Sequence, residues 1–382
     1  MSCSFSRPSD RGRSGMNILF LNSIGAGVWG GGEKWMLTAA LGLRARDHAI
    51  LFCGRPGSTL LRRCAEARIE TVPLAIRGDF DPVTIWRLRG ILTRARIDVV
   101  IANFNKDVRL AGLAARLGTS AIVIARNGLP IVPNSGRHRL IYRHLVSGII
   151  TNTAAIKGRY LAYGWMDEAF ITVIHNGIDA AQPIRFGRTE TLERHSIPEG
   201  RPIVGIFGRL VGQKQHDRFL DAAAAIAVAI PDAVFLIVGD GPLRAELARR
   251  VDRLGLADNV RFLGFHRDVM PLLSICDLVL LTSKKEGLPN AVQEAMLAGR
   301  AVVAFDVGGV RDLIPDGRYG IVVPLDDVGA MASEAIGLLR SPARREALGS
   351  AARERIATEF SLDGMIARLE AELRGRMESR PR

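Results

Sequence analysis

Short apolar runs that end in polar residues or glycine alternate along the chain with segments of helical periodicity. In the first half the apolar runs predict strands, and the segment from Glu33 to Leu43 predicts a helix. The predicted strands of this half are Met16–Asn22, His48–Cys53, Val99–Ala102, Ala121–Ala125 and Gly148–Asn152. Strands that alternate with helices form parallel sheets, so this half is predicted to be a doubly wound α/β domain.

The second half repeats this alternation from about residue 200 to about residue 330. Its predicted strands are Arg201–Leu210, Ala233–Val238, Val260–Gly264, Ser274–Ser283 and Ala301–Phe305. Its predicted helices are Asp217–Ile230, Leu243–Leu254, Met270–Cys276, Ala291–Ala298 and Val310–Ile314, with a terminal helix at Ser361–Arg374. The pattern therefore predicts a second parallel, doubly wound sheet.

A carboxylate stands at one strand-to-helix turn of this second half. Glu286 follows a predicted strand, and Glu294 lies on the helix that comes next. Eight residues at ~1.5 Å rise span ~12 Å, so the two carboxylates are too far apart to share a proton. Glu286 is placed at the carboxyl end of a strand, where open α/β sheets bind ligands. The pair is suited to hold the two ends of an extended ligand, although unrelated loop and helix charges have the same spacing.

Two cations occupy the turn after another predicted strand. Gly208 and Arg209 end that strand, and Gly212 and Lys214 follow before the next helix. Glycine lets the backbone approach a ligand closely, arginine binds phosphate through two hydrogen bonds, and lysine adds a mobile charge. The N-terminus of the next helix adds N–H groups and a positive dipole end. This chemistry predicts a diphosphate site, although the same connection also occurs without a ligand.

A glycine-rich turn from Gly25 to Gly32 links the first predicted strand to the first predicted helix. Gly31 and Gly32 lie where a helix N-terminus binds anions. Trp29 beside them is suited either to stacking on a sugar or nucleotide or to ordinary packing.

A series of motifs in the second half occurs in the order found in the retaining glycosyltransferases of family 4, and the chain resembles that family. The motifs are Gly208-Arg209-Leu210 with Lys214, Val238-Gly239-Asp240-Gly241-Pro242-Leu243, Val260-Arg261-Phe262-Leu263-Gly264, Glu286-Gly287-Leu288-Pro289 with Glu294, Val307-Gly308-Gly309-Val310, and Gly320-Ile321-Val322-Val323-Pro324. The resemblance is looser in the first half, where Gly30-Gly31-Gly32-Glu33 resembles the family's glycine loop. The resemblance implies an α/β protein of GT-B architecture, with two Rossmann-like doubly wound domains that face each other across a cleft.

The resemblance also implies a role for each residue of the two clusters. Arg209 and Lys214 would hold the diphosphate of a nucleoside diphosphate sugar, and Glu286 would contact the donor sugar, so these three are the catalytic candidates. Glu294 would bind the ribose hydroxyl groups. The donor-binding candidates are Gly31, Gly32, Gly208, Gly287, Leu288 and Glu294. The residue chemistry agrees, because carboxylates accept hydrogen bonds from hydroxyl groups and cations stabilise the charge of a departing phosphate.

No residue is a convincing covalent nucleophile, so the resemblance implies a front-face displacement in which the leaving phosphate helps to deprotonate the acceptor. No metal and no other cofactor is expected, since the donor is itself a substrate. Asp79-Phe80-Asp81 mimics the metal-binding carboxylate pair of other glycosyltransferases, but Gly78 and Pro82 beside it favour a turn.

The first half departs from the family at the strand ends where a histidine is frequent. Ala125-Arg126-Asn127-Gly128 stands at one such position and Asn103-Phe104-Asn105-Lys106 at another. A fixed cation, Arg126 or Lys106, would then handle the acceptor or the leaving phosphate. The acceptor-side candidates are Glu33, Lys106, Arg126 and Asn127.

The 382 residues fit two domains better than one core. The predicted organisation is a disordered leader over 1–15, an N-terminal acceptor-side domain over 16–185, a C-terminal nucleotide-sugar domain over 186–360 and a helix over 361–382 that packs back on the first domain. Met16 is an alternative translation start, and a linker near 180–200 is expected to permit domain closure. Four cysteines without paired spacing favour a reducing, cytoplasmic location, and no run of ~18 apolar residues predicts a membrane span.

The formal net charge of +13 favours an anionic partner. The sequence has no nucleic-acid recognition motif, so anionic lipid head groups at the inner face of the cell membrane are the better match. Basic residues surround two apolar segments, and the arginines concerned are Arg87, Arg89, Arg94 and Arg96 around 85–92, and Arg137, Arg139 and Arg143 around 140–141. A general preference for arginine on the surface explains the same charges.

The predicted function is retaining transfer of a sugar from a nucleoside diphosphate sugar to a glycan or lipid-linked acceptor, in bacterial cell-envelope polysaccharide or lipopolysaccharide synthesis. One alternative is a catalytically silent GT-B scaffold at the membrane, against which the presence of Arg209, Lys214, Glu286 and Glu294 argues. A second is a sugar-nucleotide epimerase-like enzyme or a phosphorylase, although a phosphorylase needs a pyridoxal-binding lysine that is not apparent. A third, a dinucleotide oxidoreductase, lacks its glycine fingerprint.

Overall fold

The computed structural model describes residues 15–25, 27, 29–180 and 187–379. The chain forms two compact units. The first contains the residues up to Asn176 together with those from Asp363 onward, and the second spans Gly177–Leu362. The boundary predicted from the sequence is 185/186, and the predicted leader over 1–15 lies outside the described residues apart from Gly15.

Within the described residues, the first unit contains a seven-stranded parallel sheet. Its strands are β1 (Asn17–Asn22), β2 (Ala49–Gly54), β3 (Glu70–Pro73), β4 (Val99–Ala102), β5 (Ile122–Asn127), β6 (Gly148–Thr151) and β7 (Ile171–Val173). Their order is β3-β2-β1-β4-β5-β6-β7, so the direction of winding reverses between β1 and β4. Open α/β sheets bind ligands beyond the carboxyl ends of the strands at such a switch point.

Helices connect these strands in sequence. They are α1 (Gly31–Arg44), α2 (Thr59–Glu66), α3 (Pro82–Arg94), α4 (Asn105–Arg116), α5 (Gly136–Leu145) and α6 (Ala154–Leu161). Helix α3 begins where Asp81 accepts hydrogen bonds from the backbone N–H groups of Val83 and Thr84, with Pro82 in the first turn. The central strands are buried on both faces, as β1 illustrates with its fully buried run from Ile18 to Leu21.

The second unit has a six-stranded sheet in the part of the chain that the structure describes. Its strands are β8 (Ile203–Phe207), β9 (Val234–Val238), β10 (Val260–Gly264), β11 (Leu278–Leu281), β12 (Ala301–Phe305) and β13 (Ile321–Val323), in the order β10-β9-β8-β11-β12-β13. Its helices are α7 (Arg188–Arg194), α8 (His216–Ala229), α9 (Arg244–Arg253), α10 (Met270–Ile275), α11 (Asn290–Leu297), α12 (Val310–Leu313), α13 (Val328–Leu339) and α14 (Pro342–Glu359). The switch point here lies between β8 and β11.

Alternating side chains of the second sheet supply two apolar cores. Phe207 packs on the face covered by α10, α11 and α14, whereas the preceding Ile206 packs on the face covered by α8, α9 and α13. Both doubly wound sheets that the sequence predicted are therefore confirmed.

A final helix, α15 (Leu362–Glu378), packs on the first unit. Ile366 fills the space above Gly42 in α1, where any side chain would collide with it. Arg376 donates to the carbonyl oxygen of Ser147 at 3.0 Å, and Thr172 of β7 donates to Glu372 at 2.9 Å.

Some predicted elements differ from the structure. The sequence argued for neither β3 nor β7, the edge strands of the first sheet, because both are short and only partly buried. It began the strand before Glu286 at Ser274, whereas α10 continues to Ile275 and β11 begins at Leu278. The linker expected at 180–200 contains α7, whose Leu192 is buried in the core of the second unit together with Ile197. Residues 187–200 therefore belong to that unit, and 181–186 lie outside the described residues.

Within the described ranges, no helix has the length and apolar character needed to cross a membrane.

Candidate active site

An ion pair between Lys214 and Glu286 forms the centre of the site in the second unit. Lys214 Nζ donates to Glu286 Oε1 over 2.6 Å. Lys214 follows β8 and Glu286 follows β11, the two strands on either side of the switch point. The Glu286 side chain is 8% exposed and that of Lys214 is 23% exposed. The pair is thus held at the carboxyl edge of the sheet, with the cation partly open to a ligand.

Hydrogen bonds between the two turns fix the position of this pair. The Thr282 hydroxyl, directly after β11, donates to the carbonyl oxygens of Lys214 at 3.0 Å and of Gln215 at 2.9 Å. From the same turn, the Lys284 N–H donates to the carbonyl oxygen of Gln213 at 3.0 Å. Gln215 has left-handed backbone angles, with φ of 45°, and this conformation turns the chain into α8. Each turn therefore holds the other in one geometry.

Glycines bring two further motifs into backbone contact with the site. A Cβ on Gly241 would lie 2.5 Å from the carbonyl oxygen of Leu210, beside the end of β8. Gly308, which follows β12, has φ of +54°, and a Cβ there would overlap the carbonyl oxygen of Glu286. The N–H of the residue after it donates to the carbonyl oxygen of Gly287 at 2.8 Å. The Gly308-Gly309 turn therefore supports the backbone that carries Glu286.

The predicted donor-binding residues differ in how accessible they are. Leu288 packs its side chain in the apolar core, so only its backbone can contact a ligand. Gly208 and Gly287 are half-buried, and so is Glu294, which lies in the second turn of α11. Arg209 is exposed directly after β8. The structure thus brings Arg209, Lys214 and Glu286 to the same edge of one sheet.

His216, which begins α8, was not predicted from the sequence as a site residue. The residue is buried, and neither ring nitrogen has a hydrogen-bond partner among the described residues. Burial, reinforced by the charge of Lys214, lowers the pKa of His216 to about 4. The ring is therefore neutral at physiological pH, and Lys214 and Arg209 remain the cations of this turn.

In the first unit, Glu33 supports the glycine-rich turn. Its Oε2 accepts from the N–H of Gly30 at 3.0 Å, and its Oε1 accepts from the side-chain amide of Asn22 at 3.4 Å. Gly31 is exposed at the start of α1 and Gly32 is half-buried. The carboxylate of Glu33 is buried, and its hydrogen bonds are made within the protein. Glu33 therefore stabilises the conformation of the glycine-rich turn.

Arg126, at the end of β5, is a buried cation held by two neighbours. Its guanidinium lies 4.4 Å from the ring centroid of Trp35 and donates to Oδ1 of Asn176 at 2.9 Å. Burial lowers the pKa of Arg126 to about 10, and the charge of Glu33 opposes that shift. The side chain is therefore still charged at neutral pH. Trp35 and Asn176 were not among the sequence candidates.

Asparagine residues occupy the carboxyl edge of four neighbouring strands. Asn22 and Asn127 end β1 and β5, while Asn103 and Asn152 directly follow β4 and β6. All four are buried, and the Oδ1 atoms of Asn127 and Asn152 have no hydrogen-bond partner in the described part of the chain. An unsatisfied buried polar atom costs ~1–3 kcal/mol. A ligand hydroxyl group would satisfy either oxygen. Of these four residues only Asn127 was predicted from the sequence, although each follows or ends an apolar run and that position was the available signal.

Lys106 and Asp107 lie in the first turn of α4. Lys106 is half-buried. Asp107 is buried and accepts from the N–H of Ser23 at 3.0 Å, which ties α4 to the segment that leaves β1. Burial raises the pKa of Asp107 to about 6.

The carboxylates around Phe80 are already used within the fold. Asp81 caps α3, and Asp79 forms an ion pair with Arg109. Across the described residues, no group of three or more histidine, cysteine, aspartate or glutamate side chains is arranged to hold a metal ion.

Two known protein families match the chain. Glycosyl transferases group 1 matches residues 187–355, and Glycosyltransferase Family 4 matches residues 29–182. The two matches cover most of the second and first units respectively.

Curated relatives of the chain carry glycosyltransferase names. Alpha-D-kanosaminyltransferase of Streptomyces kanamyceticus is 37% identical over 177 residues, which is 46% of this chain and 46% of the relative. The lipopolysaccharide core biosynthesis mannosyltransferase LpsB of Rhizobium meliloti (strain 1021) is 31% identical over 218 residues, 55% of this chain and 61% of the relative. The chain spans about half the length of the curated relatives it matches.

A solved structure identifies the fold. Anabaena Alr3699/HepE in complex with UDP matches with a TM-score of 0.83 at 22% identity, covering 94% of this chain and 100% of that chain. This likeness and the two parallel-sheet units show the GT-B fold. The two family matches and the glycosyltransferase relatives show that the chain belongs to the family 4 type of glycosyltransferases.

Proposed function

We propose that this protein transfers a sugar, with retention of anomeric configuration, from a nucleoside diphosphate sugar to a hydroxyl group of a glycan or lipid-linked acceptor. The observation that carries the proposal is the Lys214–Glu286 ion pair beside the exposed Arg209 at the switch point of the second sheet. Two cations fit a diphosphate, and a neighbouring carboxylate fits a sugar hydroxyl group. The UDP complex of Anabaena HepE supports a nucleotide-sugar donor.

In the proposed reaction the bond between the anomeric carbon and the diphosphate oxygen breaks. A bond from that carbon to the acceptor oxygen forms on the same face, and the acceptor proton passes to the leaving phosphate. Arg209 and Lys214 stabilise the charge that develops on the diphosphate. Glu286 accepts a hydrogen bond from the donor sugar, and Glu294 accepts from the ribose. The product is expected to keep the donor's anomeric configuration by NMR, and an inverted product would contradict this step.

We assign the acceptor to the carboxyl edge of the first sheet. The amides of Asn127 and Asn152 suit the hydroxyl groups of a sugar, and Arg126 supplies a fixed cation beside them. Relatives named for lipopolysaccharide core biosynthesis support a role in envelope polysaccharide or lipopolysaccharide synthesis. We infer a cytoplasmic location from the use of a nucleotide-sugar donor. Because two side-chain cations neutralise the diphosphate, we expect turnover without a metal and unchanged by EDTA.

Thermal unfolding with a panel of UDP-, GDP- and ADP-sugars tests the donor site. A ligand at ~100 times its dissociation constant stabilises a protein by ~2.7 kcal/mol. We expect one nucleotide series to stabilise the native protein and to lose most of this effect in Glu294→Ala. Glu354→Ala, which removes an exposed carboxylate of α14, is the matched control and should respond like the native protein.

The outcomes separate the proposal from its alternative. Stabilisation that depends on Glu294 but not on Glu354 supports a donor site at the second sheet. If no nucleotide sugar stabilises the native protein, the transferase proposal fails and a catalytically silent GT-B scaffold becomes the better account.

A further inference from the structure

Four large apolar side chains are exposed on the first unit, in the loop before α3, on α3 and on α5. Phe80 is 46% exposed, Val83 48%, Trp86 61% and Leu140 62%. Single exposed apolar side chains are common on proteins, but a group of them surrounded by charge marks an interaction surface.

A cation–π contact links α5 to the loop that precedes α3. Phe80 directly precedes the cap of α3, and Val83 and Trp86 lie three residues apart on one side of that helix. The guanidinium of Arg137, in the first turn of α5, lies 5.2 Å from the ring centroid of Phe80. Leu140 follows Arg137 by three residues on α5. We call the four apolar residues, with the arginines of α3 and α5, the basic–aromatic surface.

The loop that presents Phe80 is anchored on both sides. Asp79 forms an ion pair with the buried Arg109 of α4, and Asp81 caps α3. The Arg109 guanidinium also lies 5.8 Å from the Phe80 ring. The ring is therefore half-exposed because its neighbours hold it there.

The charged side chains of helices α3 and α5 are all basic, and the two aspartates beside Phe80 are used by Arg109 and by the cap of α3. Helix α3 contains Arg87, Arg89 and Arg94, and helix α5 contains Arg137, Arg139 and Arg143. Neither helix contains an aspartate or glutamate. Arg89 lies over the ring of Trp86 with its guanidinium 5.3 Å from the centroid. Such a combination matches the interface of a bilayer that contains anionic lipid, since aromatic rings lie at head-group depth and each basic residue contributes ~1 kcal/mol near the surface.

The structure changes the surface that the sequence indicated. The sequence centred two separate patches on 85–92 and on 140–141, yet Leu88, Ile91 and Ile141 are buried. Trp86 and Leu140, which lie within those two segments, are exposed, and Val83 and Phe80 extend the first segment toward its N-terminal side.

We propose that the first unit docks on an anionic phospholipid bilayer through the basic–aromatic surface, with Phe80, Val83, Trp86 and Leu140 inserted at head-group depth. This property is independent of the transfer chemistry. It would hold the amide-lined edge of the first sheet at the membrane where a lipid-linked acceptor resides.

Sedimentation with vesicles tests this proposal. Vesicles of phosphatidylcholine alone are compared with vesicles that also contain phosphatidylglycerol. We expect the full chain to bind the anionic vesicles, and we expect Phe80→Ser/Trp86→Ser/Leu140→Ser to reduce the partition coefficient at least about tenfold. The control Val228→Ser/Phe265→Ser removes two exposed apolar residues of the second unit, 86% and 77% exposed, and should bind like the native chain.

Fluorescence and competition give independent readouts. We expect a blue shift of tryptophan emission on anionic vesicles that is absent in Trp86→Phe. Equal binding by the triple variant and the native chain would show attraction by net charge alone and would overturn the proposal. So would equal binding to neutral vesicles, or displacement from vesicles by duplex DNA at matched phosphate concentration. Stabilisation by the donor nucleotide should persist in the triple variant, so loss of membrane binding and loss of the donor site are distinguishable.

Discussion

Lys214 and Glu286 are 72 residues apart in sequence and joined by one short hydrogen bond. Each was recognisable from its motif, because a glycine-flanked basic turn and a Glu-Gly-Leu-Pro turn have distinct patterns. Their contact was not predictable, since it depends on hydrogen bonds between the two turns. Thr282 donates to the carbonyl oxygen of Lys214, and the Lys284 N–H donates to that of Gln213. The pair has two consequences that can be separated, one for folding and one for ligand binding.

The substitution Lys214→Met leaves the nearly buried carboxylate of Glu286 without its ion-pair partner. We therefore expect the free energy of unfolding of the second unit to fall by ~1–3 kcal/mol. We expect turnover to fall by roughly ten- to a few hundred-fold, because one charge-assisted bond to the diphosphate is lost. Lys214→Met/Glu286→Gln should recover stability but not turnover. Hydrogen exchange of β8 and β11 measures the first quantity and initial rates the second.

The neighbouring exposed lysine supplies the control, since Lys285→Met should change neither quantity. Recovery of turnover in the double variant would show that the cation serves folding alone.

At the scale of elements, the central strands were predictable because they are continuous apolar runs buried on both faces. The edge strands β3 and β7 are short and only partly buried, so their sequences carry a weak signal. Helix α14 was also missed, because Leu348, Ala352 and Ile356 are its main apolar contacts in an arginine-rich segment. The site itself is made by turns between elements, and its geometry depends on backbone contacts that no periodicity encodes.

The Gly308 turn gives the corresponding prediction. Gly308→Ala places a Cβ against the Glu286 carbonyl oxygen and strains a residue with positive φ, so the Glu286 backbone must shift. We expect a loss of ~1–3 kcal/mol in stability and a weaker donor-induced thermal shift. Gly317→Ala, where the added Cβ meets no atom within 4 Å, should stay within ±0.5 kcal/mol of the native protein. A native-like thermal shift in Gly308→Ala would show that this turn does not position the donor site.

At the scale of the whole molecule, α15 follows the second unit in sequence but packs on the first unit. His48 Nδ1 accepts from the N–H of Met16 at 2.9 Å, and its Nε2 lies 3.2 Å from Glu370 of α15. Burial lowers the pKa of His48 more than the neighbouring Glu370 raises it. Hydrogen bonds from Arg374 and Arg46 lower the pKa of Glu370. The sequence predicted the helix, but the histidine contact emerged only from the structure.

These shifts predict that the attachment of α15 weakens in acid. A histidine with a lowered pKa stabilises the fold above its ordinary pKa of 6.5 and loses that contribution as pH falls below it. The lowered pKa of Glu370 acts in the same direction at lower pH, below the ordinary value of 4.5. We expect hydrogen exchange in 362–378, corrected for intrinsic rates, to show decreasing protection from pH 7.5 to 5.5. His48→Gln keeps an acceptor for Met16 and should flatten this dependence; an unchanged slope would exclude His48 as its source.

The first unit is assembled from two separate stretches of chain, and this has a consequence for biosynthesis. The ribosome must add roughly 200 residues after Asn176 before α15 is complete, which takes on the order of 10–40 s at ~5–20 residues per second. During that time α1 lacks the cover that Ile366 provides over Gly42. The second unit is one uninterrupted stretch and can fold without this delay. The half of the protein that is made first is therefore finished last, and the nascent chain is more exposed to aggregation and more dependent on chaperones than the completed protein.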